Sequence, residues 1–349
     1  MQDFETPPRI SVLDRSPAAE GGTHASALRE TVRAAVELET LGYHRVWVSE
    51  HHSVPGIAGS APTVLAAAIG AATTRIRIGT GGVMLPNHRP LVVAEQFGVL
   101  ESLFPGRVDM GLGRSVGFTG GVRKALGHNK DDADRFADQV RELLGYLSGD
   151  QRVHPGVHAF PAEGLRIPAF VLATGAGADL AAELGLPLVI AAIRGEQALV
   201  DAIGRYREGF RPSKVLPAPY VVLSTSVAVG ETSEDAWRLL VPEAWSNAYS
   251  RTHGVFPPLK RADDVLAMTM TDTERRQFDR ALSGQVFGTA DEVGAELARR
   301  AAVSGADEIL VTTGATDRGA LLDSYRRLAA VTGIGAGPRV APAVRAGRG

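Results

Sequence analysis

Near residue 50 the sequence runs Arg45-Val46-Trp47-Val48-Ser49-Glu50-His51-His52 and on into Ser53-Val54-Pro55-Gly56. A short apolar run ends abruptly in a carboxylate and two imidazoles, and a Pro/Gly turn follows. In a parallel α/β protein, ligand-binding groups gather at the C-terminal ends of strands, where loops and helix N-termini converge. The stretch therefore reads as a buried strand that delivers polar groups at its end. Alternation along a strand puts Trp47, Ser49 and His51 on one face and Val46, Val48 and Glu50 on the other. Valines suit the layer between a barrel and its helices, which places His51 on the lumen side. Glu50 then needs partners, because burying a carboxylate without hydrogen bonds is costly.

The surrounding sequence supplies the context. Upstream, residues 10–14 form a short apolar run, and residues 23–41 carry apolar positions at helical spacing before the stop at Gly42. Downstream come a helix over 61–73 with Pro62 in its first turn, a strand over 76–85, a helix over 91–103 and a strand over 107–113. Strand and helix thus alternate four times with short connections, which requires parallel strands joined by right-handed crossovers. Four units in about 130 residues project to eight, a (β/α)8 TIM barrel. The second half gives a helix over 131–147, strands over 169–173 and 188–192, a helix over 196–210 and a seventh strand over 220–229. Residues 233–283 exceed a minimal barrel and read as an insertion between strands seven and eight. A helix over 290–303, a strand over 308–312 and a helix over 318–328 close the barrel. The expectation is a single domain over 1–333 and a disordered Gly/Ala/Pro-rich tail over 334–349.

Composition narrows the function classes. The chain has 349 residues, 44% hydrophobic and 22% charged, with a formal charge of −2 and no cysteine. That balance gives no global attraction to nucleic acid or anionic membrane. Without cysteine there are no disulfides, thiolate metal sites or cysteine nucleophile. No apolar run approaches the ~18 residues of a membrane span, and residues 1–9 lack the apolar core of a secretory signal. A cytoplasmic protein fits these features.

Four stretches could carry chemistry. His51 at a barrel mouth is a candidate proton donor or acceptor near neutral pH; the alternative is a strand end whose polar groups are satisfied structurally. No metal site is expected, since the other histidines are scattered. Gly79-Thr80-Gly81-Gly82 marks either a packing bulge or a backbone that a flat ring approaches closely. Gly111-Leu112-Gly113-Arg114-Ser115-Val116-Gly117 has dinucleotide-like glycine spacing, but no helix obviously begins at Arg114, which is left as a candidate anion or ring contact. Ala173-Thr174-Gly175-Ala176-Gly177-Ala178-Asp179 can turn backbone N–H groups toward a phosphate at the start of a helix. A capped βα turn is the alternative there, and Asp179 could serve as its cap.

Taken together, these residues resemble the luciferase-like flavin monooxygenases, and within them the mensacarcin-oxygenase-like subgroup. The resemblance is carried by Ser11-Val12-Leu13-Asp14 with Ser16-Pro17, by Trp47 to His52, by Ser60-Ala61-Pro62 and by Gly81-Gly82-Val83-Met84-Leu85-Pro86-Asn87-His88. Ala94-Glu95-Gln96-Phe97 and Pro105-Gly106-Arg107-Val108-Asp109 with Gly111 to Arg114 complete it. It is dense over 10–117 and looser over 169–328. It implies a TIM barrel that takes reduced flavin mononucleotide (FMN) from a separate reductase and adds oxygen at the flavin C4a. The resulting peroxyflavin would oxidise a bulky organic substrate such as a biosynthetic intermediate.

By the same resemblance His51 is the active-site histidine. Gly81-Gly82 is a non-proline cis peptide under the isoalloxazine ring, Gly113 leaves room over it, and Arg114 contacts the flavin. Thr174, Gly175, Ala176, Gly177 and Ala178 form the phosphate loop, and helices two and three pair in a homodimer. The chain departs from the subgroup in a shorter phosphate loop with Ala178 and Asp179, and in Ala191-Ala192-Ile193-Arg194, where a His/Phe pair is usual. Two other outcomes remain beside it: a deazaflavin (F420)-dependent hydride-transfer enzyme on the same barrel, or a non-catalytic, degenerate flavin- or ligand-binding homologue.

Overall fold

Apolar and β-branched runs and helical amphipathic runs alternate along the chain, and each becomes one element. A computed structural model describes residues 8–334 except 176 and 194. Residues 1–7, Ala176, Arg194 and residues 335–349 lie outside the described residues; Ile334, the first residue of the tail expected over 334–349, is described and packs half-buried against the core. The first half runs β1 (Arg9–Asp14), α1 (His24–Leu41), β2 (Arg45–Val48), α2 (Pro62–Ala72), β3 (Arg77–Thr80), β4 (Val83–Met84), α3 (Pro90–Leu103), β5 (Val108–Gly113), α4 (Gly120–Ala125) and α5 (Phe136–Ser148). The middle adds β6 (Ala169–Ala173), α6 (Gly177–Leu184), β7 (Leu188–Ala191), α7 (Glu196–Glu208), β8 (Val221–Thr225) and β9 (Val227–Val229). After it come α8 (Ser233–His253), α9 (Ala262–Ala267), α10 (Asp272–Leu282), β10 (Val286–Gly288), α11 (Ala290–Ser304), β11 (Glu308–Val311) and α12 (Arg318–Thr332).

The barrel is closed and parallel. Hydrogen bonding runs β3-β2-β1-β11-β8-β7-β6-β5-β4, and β3 also pairs with β5. With β3 and β4 as two halves of one stave, eight staves result, and the (β/α)8 expectation holds. So does the insertion between the seventh and eighth staves, which contains α8, α9 and α10. Within it Trp245, Val265 and Phe278 are buried in a small core of their own, with Tyr249 packed against it. Trp245, Tyr249 and Phe278 thus pack the insertion's own core.

Two apolar layers result from strand alternation. Val46 and Val48 join the large cluster between strands and helices, whereas Trp47 packs in the lumen with Phe170, Val189, Val222 and Leu310. The split of the strand-two residues between the two faces is the one expected from alternation. Trp47 and Phe170 meet edge to face at 4.9 Å.

Beneath this lumen core lies a charged plug, formed at the N-terminal ends of the staves. Arg45 bridges Asp109 at 2.7 Å and Glu308 at 2.8 Å, and Arg77 reaches Asp109 at 2.6 Å. The Tyr220 hydroxyl donates to Glu308 at 2.7 Å. Asp109 and Glu308 are fully buried, and at that depth ions persist only when paired and hydrogen-bonded.

Three elements differ from the sequence reading. The third stave, expected to be continuous over 76–85, breaks at Gly81-Gly82, whose peptide bond is cis. The seventh strand, read as 220–229, splits after Thr225: β9 leaves the barrel and pairs in parallel with β10, Val227 opposite Val286. The helix expected from residue 131 opens as a 3-10 turn over Lys130–Arg135, where Asn129 and Asp132 form a capping box, and becomes α-helical only from Phe136.

Candidate functional site

After Val48 the chain leaves the sheet but stays buried through Ser49 and Glu50. Backbone bonds fix this exit: the His51 N–H donates to the Gly59 carbonyl at 2.8 Å, and the Gly56 N–H donates to the Phe256 carbonyl at 3.0 Å. Gly56 has no room for a side chain, since an added Cβ would lie 2.1 Å from the Pro257 carbonyl oxygen. The turn after the histidines is thereby pinned to the insertion.

Glu50 finds the partners its burial demands. Its carboxylate accepts the Met84 N–H at 3.0 Å, the His88 ring at 2.9 Å and the His52 ring at 2.7 Å. Burial raises its pKa, but the bonds from His88, His52 and Met84 outweigh it and hold the group below the usual carboxylate value. Glu50 therefore stays ionised and fastens β4 to the end of β2.

His51 has the opposite character. Burial is the largest influence on it, Arg15 pushes in the same direction and Glu50 opposes them; its pKa falls from 6.5 to about 4. The imidazole is therefore neutral at physiological pH. Its Nδ1 lies 3.0 Å from Ser49 Oγ. Among the described residues Nε2 has no hydrogen-bond partner, and it is the ring nitrogen left for a ligand. Arg15 is itself held by Glu243 of α8, and Glu243 also accepts the Gly314 N–H at 2.7 Å.

His51 borders a cavity of about 720 Å³ at the C-terminal mouth of the barrel, within the range of small-molecule sites. The same cavity brings together most of the residues singled out in the sequence: His51, Gly81, Gly82, Gly113, Arg114, Thr174, Gly175 and Gly177. The lumen residues Leu13, Leu172, Val189 and Leu310 give it an apolar floor. Ala176 lies outside the described residues. Ala178 does not line the cavity: it is fully buried between strands and helices, and its N–H is spent on the Gly175 carbonyl at 2.9 Å. Asp179 faces Arg205 at 3.3 Å.

The glycines divide into two kinds. A Cβ on Gly79 would lie 2.2 Å from the Asp109 carbonyl oxygen, and one on Gly111 would lie 2.0 Å from that of Thr80. Those two exist because staves three and four pack closely. At Gly113 the nearest atom to an added Cβ is 3.7 Å away, so its bare face opens on the cavity. Arg114 stands at the rim, more than half exposed, paired with Asp134 and donating to the Ala133 carbonyl at 2.9 Å.

Gly81, Gly82 and Gly113 line the cavity with backbone, as a flat ring requires, although a Cβ on Gly81 would point at Leu13 and one on Gly82 at the Gly111 carbonyl oxygen, each at 2.8 Å. The turn ahead of α6 offers a hydroxyl and a helix N-terminus for an anion. These residues fit a flavin nucleotide. Sequence reasoning put Ser49 on the side of His51 but gave it no role at the site; it lies just beyond the end of β2, bonded to the His51 ring. Sequence reasoning also missed Phe118, which lines the same cavity; an aromatic residue amid the glycines 117–121 was its only signal.

Comparison with known proteins agrees with this geometry. The family model for luciferase-like monooxygenases matches residues 9–312. The chain is 35% identical over 321 residues to a luciferase-like monooxygenase of Escherichia coli, covering 90% of this chain and 94% of the relative. It is 32% identical over 300 residues to the N-acetyl-S-alkylcysteine monooxygenase of Bacillus subtilis, covering 83% and 88%. The solved structure of apo-MsnO8 superposes with a TM-score of 0.83 at 31% identity, covering 94% of this chain and 99% of that one.

Proposed function

The chain belongs to the luciferase-like monooxygenase family, and on that basis we propose that it is an FMN-dependent monooxygenase acting on a bulky organic substrate, a biosynthetic intermediate, with reduced FMN delivered by a separate reductase. The observation that carries this reading is a neutral His51 imidazole on the same cavity as the bare Gly81-Gly82 and Gly113 wall. When bound, reduced flavin supplies the two electrons with which O2 is activated, one oxygen atom entering the substrate and the other leaving as water.

The chain's own residues do the rest. Gly81, Gly82 and Gly113 seat the ring by their backbone, and Thr174, Gly175 and Gly177 with the start of α6 hold the phosphate. Arg114 adds a cation at the rim. His51 hydrogen-bonds at the reacting centre through Nε2, while Ser49 fixes the ring through Nδ1. Its depressed pKa makes it a neutral donor or acceptor that does not present a fixed positive charge. Glu50 acts at one remove, by holding β4 in place.

A second copy of the chain completes the molecule in this reading. Helices α2 and α3 leave Val64, Val92, Val99 and Leu103 exposed, an apolar face suited to packing against its twin across a two-fold axis.

Anaerobic titration with reduced FMN, oxidised FMN and F420, followed by exposure to air, tests the function. Saturable binding of reduced FMN and its accelerated reoxidation support it. Tighter binding of F420 would point to hydride transfer, and binding without accelerated reoxidation, or no binding of any of the three, to a non-catalytic homologue. A folded His51→Ala variant that reoxidises bound flavin at the native rate would remove His51 from the mechanism.

A further inference from the structure

Phe118 is out of place for its size. Its side chain sits in the loop between β5 and α4 and is 69% exposed, and that exposure costs stability unless something covers the ring. It is nonetheless held in position. Gly117 turns the chain at φ +90°, the Arg123 guanidinium donates to the Gly117 carbonyl at 3.0 Å, and Thr119 caps the helix that follows.

The position so fixed is at the cavity, opposite His51. The two rings are nearly parallel, 9° apart in plane, with centroids separated by 6.1 Å. Both line the same cavity, whose floor is the apolar set Leu13, Leu172, Val189 and Leu310. The neutral state of the imidazole lets its face serve as an apolar surface.

We propose that Phe118 is the specificity-determining residue of the site, and that it selects a flat aromatic substrate by stacking on its exposed ring beside His51. The inference rests on the proposed function, because it assigns a substrate class to that same cavity. An aromatic plane gains from offset stacking on Phe118 at little conformational cost, whereas a flexible alkyl chain gains only area.

The test uses the full-length chain, with 2-naphthol as the flat probe and 1-decanol as the flexible one, and dissociation constants are measured by calorimetry. Phe118→Ala is expected to weaken 2-naphthol by about five- to tenfold, and Phe118→Tyr to restore it to within about twofold of the native value. The response of 1-decanol is expected to stay within about twofold for both variants. Native-like 2-naphthol binding by Phe118→Ala, equal losses for both probes, or no 2-naphthol binding by the native chain would each overturn the proposal. FMN titration of the native chain, run alongside, reports on the proposed function separately: FMN bound with no effect of Phe118 on 2-naphthol rejects only the stacking role.

Discussion

His51 and Glu50 are neighbours in sequence whose pKa values move away from neutrality for unlike reasons. Burial keeps the imidazole uncharged down to about pH 4, so activity that needs its neutral form is expected to vary little around neutrality and to fall as pH 4 is approached. A pH–rate profile checks this. Stability follows the same sign. The unfolded chain protonates His51 near its ordinary value of 6.5 while the folded chain resists until about 4, so stability is lost as pH falls through that window. Glu50, held below its ordinary value, adds a loss at still lower pH. His51→Gln is expected to flatten the decline in melting temperature between pH 6.5 and 4. His51→Ala is expected to cost about 10²- to 10⁴-fold in turnover, and Glu50→Gln about 1 to 3 kcal/mol of stability through its orphaned partners, measured by urea unfolding. Strand alternation put His51 and Glu50 on opposite faces, although β2 ends at Val48 and it is the bonds beyond it that hold the two side chains apart. Alternation could not identify His88 as a partner of Glu50, because their contact spans 38 positions and depends on the turn over Leu85–Asn87.

At the level of elements, the glycines of staves three and four show how one residue type carries two meanings. Gly79→Ala and Gly111→Ala would drive a Cβ to 2.2 Å and 2.0 Å from backbone oxygens, and both variants are expected to lose soluble expression or melt far below the native chain. Gly113→Ala meets nothing closer than 3.7 Å and should fold normally. Gly113→Leu should also fold, yet fill the cavity and weaken flavin binding by tenfold or more in the same titration. The sequence offered two readings of this glycine run, a packing bulge or a ring seat. Close packing is what the run Gly79–Gly82 shows, since a Cβ on Gly79, Gly81 or Gly82 would meet a neighbour within 2.8 Å, and the ring seat belongs to the proposed function; the direction in which each missing Cβ points is not legible in sequence. The division of residues 220–229 into β8 and β9 was hidden for a related reason. Both halves have strand composition, and what divides them is the partner each half finds.

For the whole molecule, eightfold alternation was legible because each βα unit announces itself locally. The charged plug was not, since Arg45, Arg77, Asp109 and Glu308 are far apart in sequence, although each stands at or near the start of a strand. Removing one member leaves a buried partner unpaired, so Asp109→Asn is expected to destabilise the chain by about 3 to 5 kcal/mol, read from denaturant unfolding with flavin absent. If the proposed dimer packs through α2 and α3, Val99→Lys on α3 is expected to give a monomer in sedimentation where the native chain sediments as a dimer.

The plug also bears on the order in which the chain leaves the ribosome. Its early members are two arginines and one carboxylate, and the second carboxylate, Glu308, is made some 200 residues after Asp109. Until then the growing barrel holds one excess positive charge where its floor should close. Nascent N-terminal halves should therefore stay open and protease-sensitive, and the whole barrel should lock in one late step as the final stave is released.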